Sequence, residues 1–148
     1  MPVVVALLAG LYNTWNGYLQ GQWLSHFGHY PNAWVSEPCF LAGFAVFLGG
    51  MAVNITSDNS LRRLRTDPSS EYKIPQGGLF EFISCPNYFG EIVEWCGWAI
   101  ATWSQSGLAF AVFTFANLVP RAISHHRWYN SKFENYPRTR CAVIPCLL

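Results

Sequence analysis

Charged residues are scarce in this chain of 148 residues, where Asp, Glu, Lys and Arg together make up 11%. A soluble domain usually has about 25%. None of the four occurs in residues 1–36, 38–57 or 95–120. A water-facing surface needs charge to cover it, and each of these stretches can supply the ~20 apolar residues that cross a bilayer core. The chain is therefore expected to be a membrane protein in contact with lipid.

Several motifs of soluble nucleotide-binding and metal-binding proteins are also absent. The chain has no GxGxxG, and no Gly-Lys-Ser/Thr follows the paired glycines of residues 72–80, which excludes a Rossmann fingerprint and a Walker loop. The five cysteines form no CxxC pair, which argues against a disulfide or zinc framework. The adjacent His125 and His126 point about 100° apart on a helix, so we expect no metal site. We also expect no nucleic-acid partner.

Four apolar stretches predict an all-α fold, a multi-span transmembrane helical bundle with spans at residues 2–24, 39–56, 86–103 and 108–124. The third stretch carries Glu91 and Glu94, so an alternative makes residues 98–119 a single span and leaves both glutamates in water. The positive-inside rule favours four spans, because they put all nine Lys and Arg on one face, whereas three spans divide them four against five. The basic face and both termini are then cytosolic.

One row of polar side chains is predicted to face inward from the third span. Asn87, Glu91 and Glu94 follow steps of four and three residues, which puts them on one helical face. A carboxylate deep in a bilayer costs on the order of 2.5–3.5 kcal/mol, so it should face a cavity or a partner. A structural ion pair with Arg65 or Arg121, or a third helix that lies shallow at the interface, is the alternative.

Two further polar rows lie at the end of the second span and in the tail. Their members also recur at helical spacing: Asn54, Asp58 and Arg65 in one row, and Arg121, His125 and Tyr129 in the other. A basic face with histidine and aromatic side chains can hold a phosphate and stack a ring. Ordinary snorkelling at a helix end is the alternative for the first row, and binding of anionic lipid headgroups is the alternative for the second.

Longer motifs follow one another through the chain in a fixed order. They are NIxSD and LRxLR at residues 54–65, YKIPQGGLFE at 72–81, NYFGEIxEW at 87–95 and RAxxHHRWY at 121–129. Together they resemble the steroid 5-alpha-reductases (3-oxo-5-alpha-steroid 4-dehydrogenases), and residues 16–26 are more similar to the type 1 than to the type 2 enzyme. The resemblance covers nearly the whole chain. It implies the C-terminal part of a seven-span protein of the endoplasmic reticulum membrane.

The resemblance also implies an activity, since family members reduce the C4–C5 double bond of 3-oxo-delta-4 steroids by hydride transfer from NADPH to C5. Residues 1–148 are then one C-terminal, NADPH-binding membrane domain whose cofactor site faces the cytosol. Nine positions match those that surround the cofactor in the family: Asn54, Asp58, Arg65, Tyr72, Asn87, Glu91, Arg121, His125 and Tyr129. No catalytic residue is assigned here, because the Glu and Tyr that grip the steroid's 3-oxo group belong to the family's N-terminal spans.

The chain departs from the family in length and at two positions. It lacks any match to those steroid-gripping residues, so the resemblance implies a fragment or a truncated isoform that is inactive alone. Lys73 stands where an Arg is common, and Ser124 where some members have a third His.

The sequence is also compatible with three other functions. One is reduction of a polyprenol or a long-chain enoyl-CoA, because those reductases have similar motifs, PxGGLF and HxxxY, in their cofactor-binding half. Another is S-adenosylmethionine-dependent methyl transfer of the isoprenylcysteine type. The third is a non-catalytic membrane isoform that pairs with a complete enzyme.

Overall fold

The computed structural model describes residues 3–65 and 72–147 and contains four long helices. They are α1 (Val3–Gln22), α2 (Pro38–Arg65), α3 (Pro86–Thr102) and α4 (Gln105–Lys132). Short helical turns lie at Trp23–Phe27, Trp34–Ser36 and Gly78–Glu81. The all-α prediction is confirmed, and each helix overlaps one predicted span, although α1 ends at Gln22 rather than at residue 24 and α3 ends at Thr102 rather than at residue 103. Residue 2, where the first predicted span begins, and residues 66–71 of the central loop lie outside the described residues.

By length and composition, α2 and α4 are long and apolar enough to cross a membrane. Each has 28 residues, or about 42 Å at 1.5 Å per residue, against a hydrocarbon core of about 30 Å. In the apolar stretch of 18 residues that identifies each helix, only 11% of the residues of α2 and 28% of those of α4 are buried within the structure. Such exposure is unlike the core helix of a soluble protein and is consistent with a membrane protein.

Glycines bring α2 and α3 into close antiparallel contact. Gly43 of α2 faces Gly97 of α3, and Gly50 faces Gly90, so that a Cβ at any of the four would overlap the backbone of the other helix. Small residues at such crossings let helix backbones approach closely, as they do in membrane bundles. The two crossings fix which turn of α2 lies beside which turn of α3.

The chain reverses sharply between α3 and α4. Trp103 adopts a left-handed backbone conformation with φ 46° and ends α3. The Ser104 hydroxyl then caps α4 by accepting a hydrogen bond from the Gly107 N–H at 2.9 Å. The alternative of a single span over residues 98–119 is therefore wrong, because the chain turns back inside it.

The segment before α2 covers the same end of the bundle. The Tyr30 hydroxyl donates to the Thr102 carbonyl, and the Trp34 ring N–H donates to the Ala101 carbonyl at 3.1 Å. The last carbonyls of a helix have no partner within it, so these two side chains satisfy acceptors that would otherwise need water.

A few side chains attach α1 to the other helices. The ring centroids of Tyr12 and Phe113 on α4 lie 4.7 Å apart. The Gln20 amide donates to the Ser106 carbonyl at 3.0 Å and accepts from the Trp98 ring N–H at 3.1 Å. These pairings set α1 antiparallel to α4, while most of the other large apolar side chains of α1 are exposed.

Candidate functional site

Three helix ends meet at the end of the bundle opposite the α3–α4 reversal. They are the last turns of α2, the first turns of α3 and the last turns of α4, and antiparallel packing brings them together. All nine residues predicted to surround a cofactor belong to these turns or to the segment before α3: Asn54, Asp58, Arg65, Tyr72, Asn87, Glu91, Arg121, His125 and Tyr129. The three predicted polar rows thus lie at one end of the molecule.

A direct hydrogen bond joins the rows of α2 and α3. Asn87 donates through Nδ2 to Oδ1 of Asp58 at 3.2 Å, and both residues are half-buried, as is Glu91 one turn further along α3. With this amide orientation, the Asn87 carbonyl oxygen and the Glu91 carboxylate are both acceptors. Asn54 lies at the glycine crossing, where the absence of a Cβ on Gly90 makes room for its backbone.

Helix α4 brings positive charge to this end. Arg121 is exposed and lies within electrostatic range of Glu91. Within the described part of the chain, no ion pair of 4.0 Å or less joins Glu91 to Arg121 or to Arg65. The structural ion pair considered for this glutamate is therefore not formed, and α3 runs along α2 rather than lying across it. His125 Nε2 is 3.4 Å from the Tyr88 hydroxyl on α3.

Aromatic rings gather around Tyr129. Its ring stacks on that of Tyr136, with 5.3 Å between centroids and 11° between planes. Tyr72 stands edge-on to Trp128 at 5.1 Å, and both Tyr72 and Arg65 lie within electrostatic range of Tyr129. A guanidinium beside aromatic rings suits a ligand in which a phosphate is attached to a flat ring.

The tail after α4 folds back over the start of α3. The Ser84 N–H donates to the Cys141 carbonyl at 2.9 Å, and the Cys85 N–H donates to the Ala142 carbonyl at 3.1 Å. In return, the Cys141 N–H donates to the Phe82 carbonyl at 2.9 Å. This docking was not predicted, because no local pattern in the tail identifies a partner so far back in the chain.

Arg140, counted above only among the basic residues of one face, is buried. Its Nη1 donates to the Pro75 carbonyl at 3.0 Å, and its Nη2 lies 3.8 Å from the carboxylate of Glu81. The guanidinium carbon is 5.2 Å from the ring centroid of Tyr136. A buried guanidinium needs such partners to offset its desolvation. Arg140 thereby ties the tail to the loop that holds the paired glycines.

Along another face of α2, the described residues line two cavities that adjoin this end. One, of about 690 Å³, is lined by Arg63, Lys73 and Gln76 among others, and the second, of about 360 Å³, shares Ser60 and Gln76 with it. None of the nine predicted residues lines either cavity. A third cavity of about 490 Å³ lies between α3 and α4 near their reversal and has no charged residue in its lining. We assign the candidate site to the convergent polar rows, because they combine carboxylate, amide and guanidinium groups, whereas the lining of none of these three cavities contains a carboxylate.

Cys85 lies beside this end of the bundle, at the residue before α3. Burial raises the pKa of the Cys85 thiol to about 12, so the thiol is protonated at neutral pH and packs as a small apolar group. Residues 3–65 and 72–147 contain no group of three or more His, Cys, Asp and Glu side chains able to hold a metal ion.

The chain is similar to known proteins along its whole length. The sequence model described as 3-oxo-5-alpha-steroid 4-dehydrogenase matches residues 1–148. The chain is 53% identical over 146 residues to "3-oxo-5-alpha-steroid 4-dehydrogenase 1" of Rattus norvegicus, which covers 99% of this chain and 56% of that protein. It is 52% identical over 147 residues to the Homo sapiens protein of the same name, covering 99% of this chain and 57% of that protein.

A plant protein is nearly as similar. The chain is 49% identical over 146 residues to "Steroid 5-alpha-reductase DET2" of Arabidopsis thaliana, covering 97% of this chain and 56% of that protein. The chain thus spans just over half the length of these relatives, as expected for a C-terminal portion, and the predicted likeness to the type 1 proteins is confirmed.

Proposed function

The chain belongs to the 3-oxo-5-alpha-steroid 4-dehydrogenase family, and from this premise we propose that it supplies the NADPH-binding part of a steroid 5-alpha-reductase. The complete protein would reduce the C4–C5 double bond of a 3-oxo-delta-4 steroid. The observation that carries the proposal is the meeting of three polar rows, from α2, α3 and α4, at one end of an otherwise apolar bundle.

The residues of this end fit the parts of a dinucleotide. Arg65 and Arg121 are cations suited to phosphate groups, and the half-buried Tyr129, which lies among aromatic rings, is suited to contact an adenosine. Asn87 and Glu91 present acceptors to the N–H groups of a nicotinamide carboxamide, and the hydrogen bond from Asn87 to Asp58 holds the amide in that orientation. Such contacts would fix which face of the nicotinamide ring meets the substrate.

Bound NADPH would supply the hydride that adds to C5 of the steroid. Negative charge then develops on the 3-oxo oxygen, where a hydrogen-bond donor is worth several kcal/mol in the transition state. By resemblance, we assign that donor to the Glu and Tyr of the family's N-terminal spans, which is why we expect this chain alone to be inactive. The role proposed for its own residues is to bind and orient the cofactor.

We further propose that the protein lies in the endoplasmic reticulum membrane with the polar end toward the cytosol. The argument is the distribution of charge, because the basic residues of α2 and α4 lie near their C-terminal ends. Short cytosolic loops carry an excess of Lys and Arg. A cytosolic site would also give NADPH access from water.

Binding measurements on the chain in lipid nanodiscs test the cofactor part of the proposal. We expect NADPH to bind and to quench tryptophan fluorescence, since Trp128 lies beside Tyr72 and Tyr129. S-adenosylmethionine serves as the competing ligand. Binding of S-adenosylmethionine without NADPH would favour the methyltransferase alternative and overturn the proposal.

Turnover tests the substrate part. We would fuse residues 1–148 to the remaining N-terminal portion of the Rattus norvegicus relative and supply testosterone, a polyprenol and an enoyl-CoA with NADPH. We expect reduction of testosterone by the fusion and none by the N-terminal portion alone. Turnover of only the polyprenol or only the enoyl-CoA would assign a different reductase.

Substitutions at the polar rows test the residues themselves. We expect Arg65→Ala and Glu91→Gln to raise the dissociation constant of NADPH about 10- to 100-fold. The first removes a charged donor and the second replaces a charged acceptor with a neutral amide, and hydrogen bonds to charged groups are worth about 1.5–3 kcal/mol. The matched controls are Arg127→Ala and Glu134→Gln, two exposed charges outside the rows. A change in the KM for steroid alone, with cofactor affinity unaltered, would contradict the assignment.

A further inference from the structure

Ser84, which belongs to none of the predicted rows, lies at the centre of a buried hydrogen-bond network beside the candidate site. Its hydroxyl oxygen is 2.6 Å from His126 Nδ1, 2.7 Å from the Tyr136 hydroxyl and 3.2 Å from the Cys141 carbonyl oxygen. Ser84 is 4% exposed. One side chain thus links the loop before α3, the last turns of α4 and the tail.

The directions of these hydrogen bonds follow from Asn130. Its Nδ2 donates to the backbone carbonyl of His126 and to His126 Nε2, each at 3.0 Å. Since Nε2 accepts, a neutral His126 carries its proton on Nδ1 and donates it to Ser84. The Cys141 carbonyl can only accept, so the Ser84 hydroxyl donates its hydrogen bond to that carbonyl. The Tyr136 hydroxyl then donates a hydrogen bond to the Ser84 oxygen. Every donor and acceptor of the Ser84 hydroxyl is then used.

This network holds the stacked rings of Tyr129 and Tyr136 next to the candidate site. Tyr136 is buried, with its hydroxyl fixed by Ser84 and its ring stacked on Tyr129 at 5.3 Å. The same network fixes how the last turns of α4 are rotated about the helix axis. His126 points inward to Ser84, while the adjacent His125 points toward Tyr88 on the polar face.

We propose that Ser84, His126 and Tyr136 are positioning residues, which do not touch the cofactor but set the orientation of Tyr129 and His125 that bind it. The identity of the ligand, NADPH, rests on the proposed function. The position of the Tyr129 ring is a property of the chain alone, however, and can be measured without any cofactor.

The first experiment measures that position by fluorine NMR of the chain in nanodiscs, with 3-fluorotyrosine at position 129. We expect Ser84→Ala and Tyr136→Phe to shift or broaden the resonance. The matched control is Ser104→Ala, which removes another buried serine hydroxyl at the opposite end of the bundle. An unchanged resonance in Ser84→Ala, or an equal change in Ser104→Ala, would overturn the inference whether or not NADPH binds.

The second experiment measures NADPH affinity. We expect Ser84→Ala and Tyr136→Phe to raise the dissociation constant, and the KM for NADPH of the fusion enzyme, about 3- to 10-fold with kcat nearly unchanged. Ser104→Ala should change neither. Absence of NADPH binding by the unmodified chain would overturn the proposed function, whereas unaltered affinity in Ser84→Ala would overturn the positioning role alone.

Two substitutions of His126 separate positioning from simple loss of packing. The amide nitrogen of Asn is attached to Cγ, as Nδ1 of His is, so His126→Asn keeps a donor for Ser84. His126→Gln carries its amide one carbon further out, where Nε2 was. We expect His126→Asn to retain near-normal affinity and His126→Gln to lose 3- to 10-fold, about the effect of Ser84→Ala. Equal losses in both variants would contradict the assigned donor.

Discussion

Helices α2 and α3 touch along their length, whereas α1 touches its neighbours at a few side chains. The first contact depends on four glycines whose missing Cβ atoms bring two backbones together. The second depends on the Tyr12 ring and on the amide of Gln20. The α2–α3 pair carries five of the nine predicted cofactor residues within its helices, and α1 carries none.

The difference indicates which parts of the molecule form the frame of the site. A backbone-to-backbone crossing allows little relative movement, so the spacing between Asp58 and Asn87 is set by the helix pair itself. A helix held by one ring and one amide can change its position at smaller cost. We therefore expect changes in the α2–α3 crossing to affect the whole structure and changes at α1 to remain local.

The largest effect is expected for Gly50→Val, because its side chain would overlap the backbone of α3. Overpacking at a backbone contact should cost about 3 kcal/mol or more. Gly49→Ala is the matched control, since a Cβ at this neighbouring glycine meets nothing within 4 Å. We expect it to stabilise the protein by up to about 1 kcal/mol. Thermal unfolding in detergent measures both, and similar melting temperatures would refute the glycine crossing.

An intermediate effect is expected for Gln20→Leu. The substitution leaves the Trp98 ring N–H and the Ser106 hydroxyl without their acceptor, at a cost of about 1–3 kcal/mol. Hydrogen exchange should become faster in α1 and stay unchanged in the α2–α3 pair. Gln22→Leu, in the last turn of the same helix, is the control. Faster exchange throughout the protein would mean that α1 belongs to the frame after all.

The smallest effect is expected for Ser104→Ala, which removes the cap of α4. Loss of the hydrogen bond from the Gly107 N–H should cost about 1 kcal/mol. Equilibrium unfolding measures the total loss in the free energy of unfolding. Hydrogen exchange should show that the loss is confined to the first turn of α4. A loss above about 3 kcal/mol would show that the α3–α4 reversal is as critical as the glycine crossing.

Much of the fold and the grouping of the polar residues could be predicted from the sequence. Hydropathy located the four helices, and helical spacing placed Asn87 and Glu91 on one face. The basic residues favoured four spans over three, and the reversal at Trp103 agrees with that choice. The binding of NADPH by this group of residues stays a prediction.

The glycine crossing and the burial of Arg140 and Ser84 were not predicted from the sequence. The glycines of α2 and α3 recur seven residues apart in each helix, a repeat that could have indicated their crossing. Arg140 looked like any other basic tail residue, and Ser84 like a polar residue of a loop. Their burial depends on the tail, which docks on the loop before α3.

The sequence by itself determined that the chain forms apolar helices with polar rows toward one end, because hydropathy and the 3.6-residue period are properties of neighbouring residues. Only the tertiary structure decided that Ser84 joins His126 to Tyr136 and that Arg140 is buried against Pro75. These contacts link residues 42 to 65 positions apart. Contacts over such distances depend on how whole helices and the tail pack, which no short stretch of residues specifies.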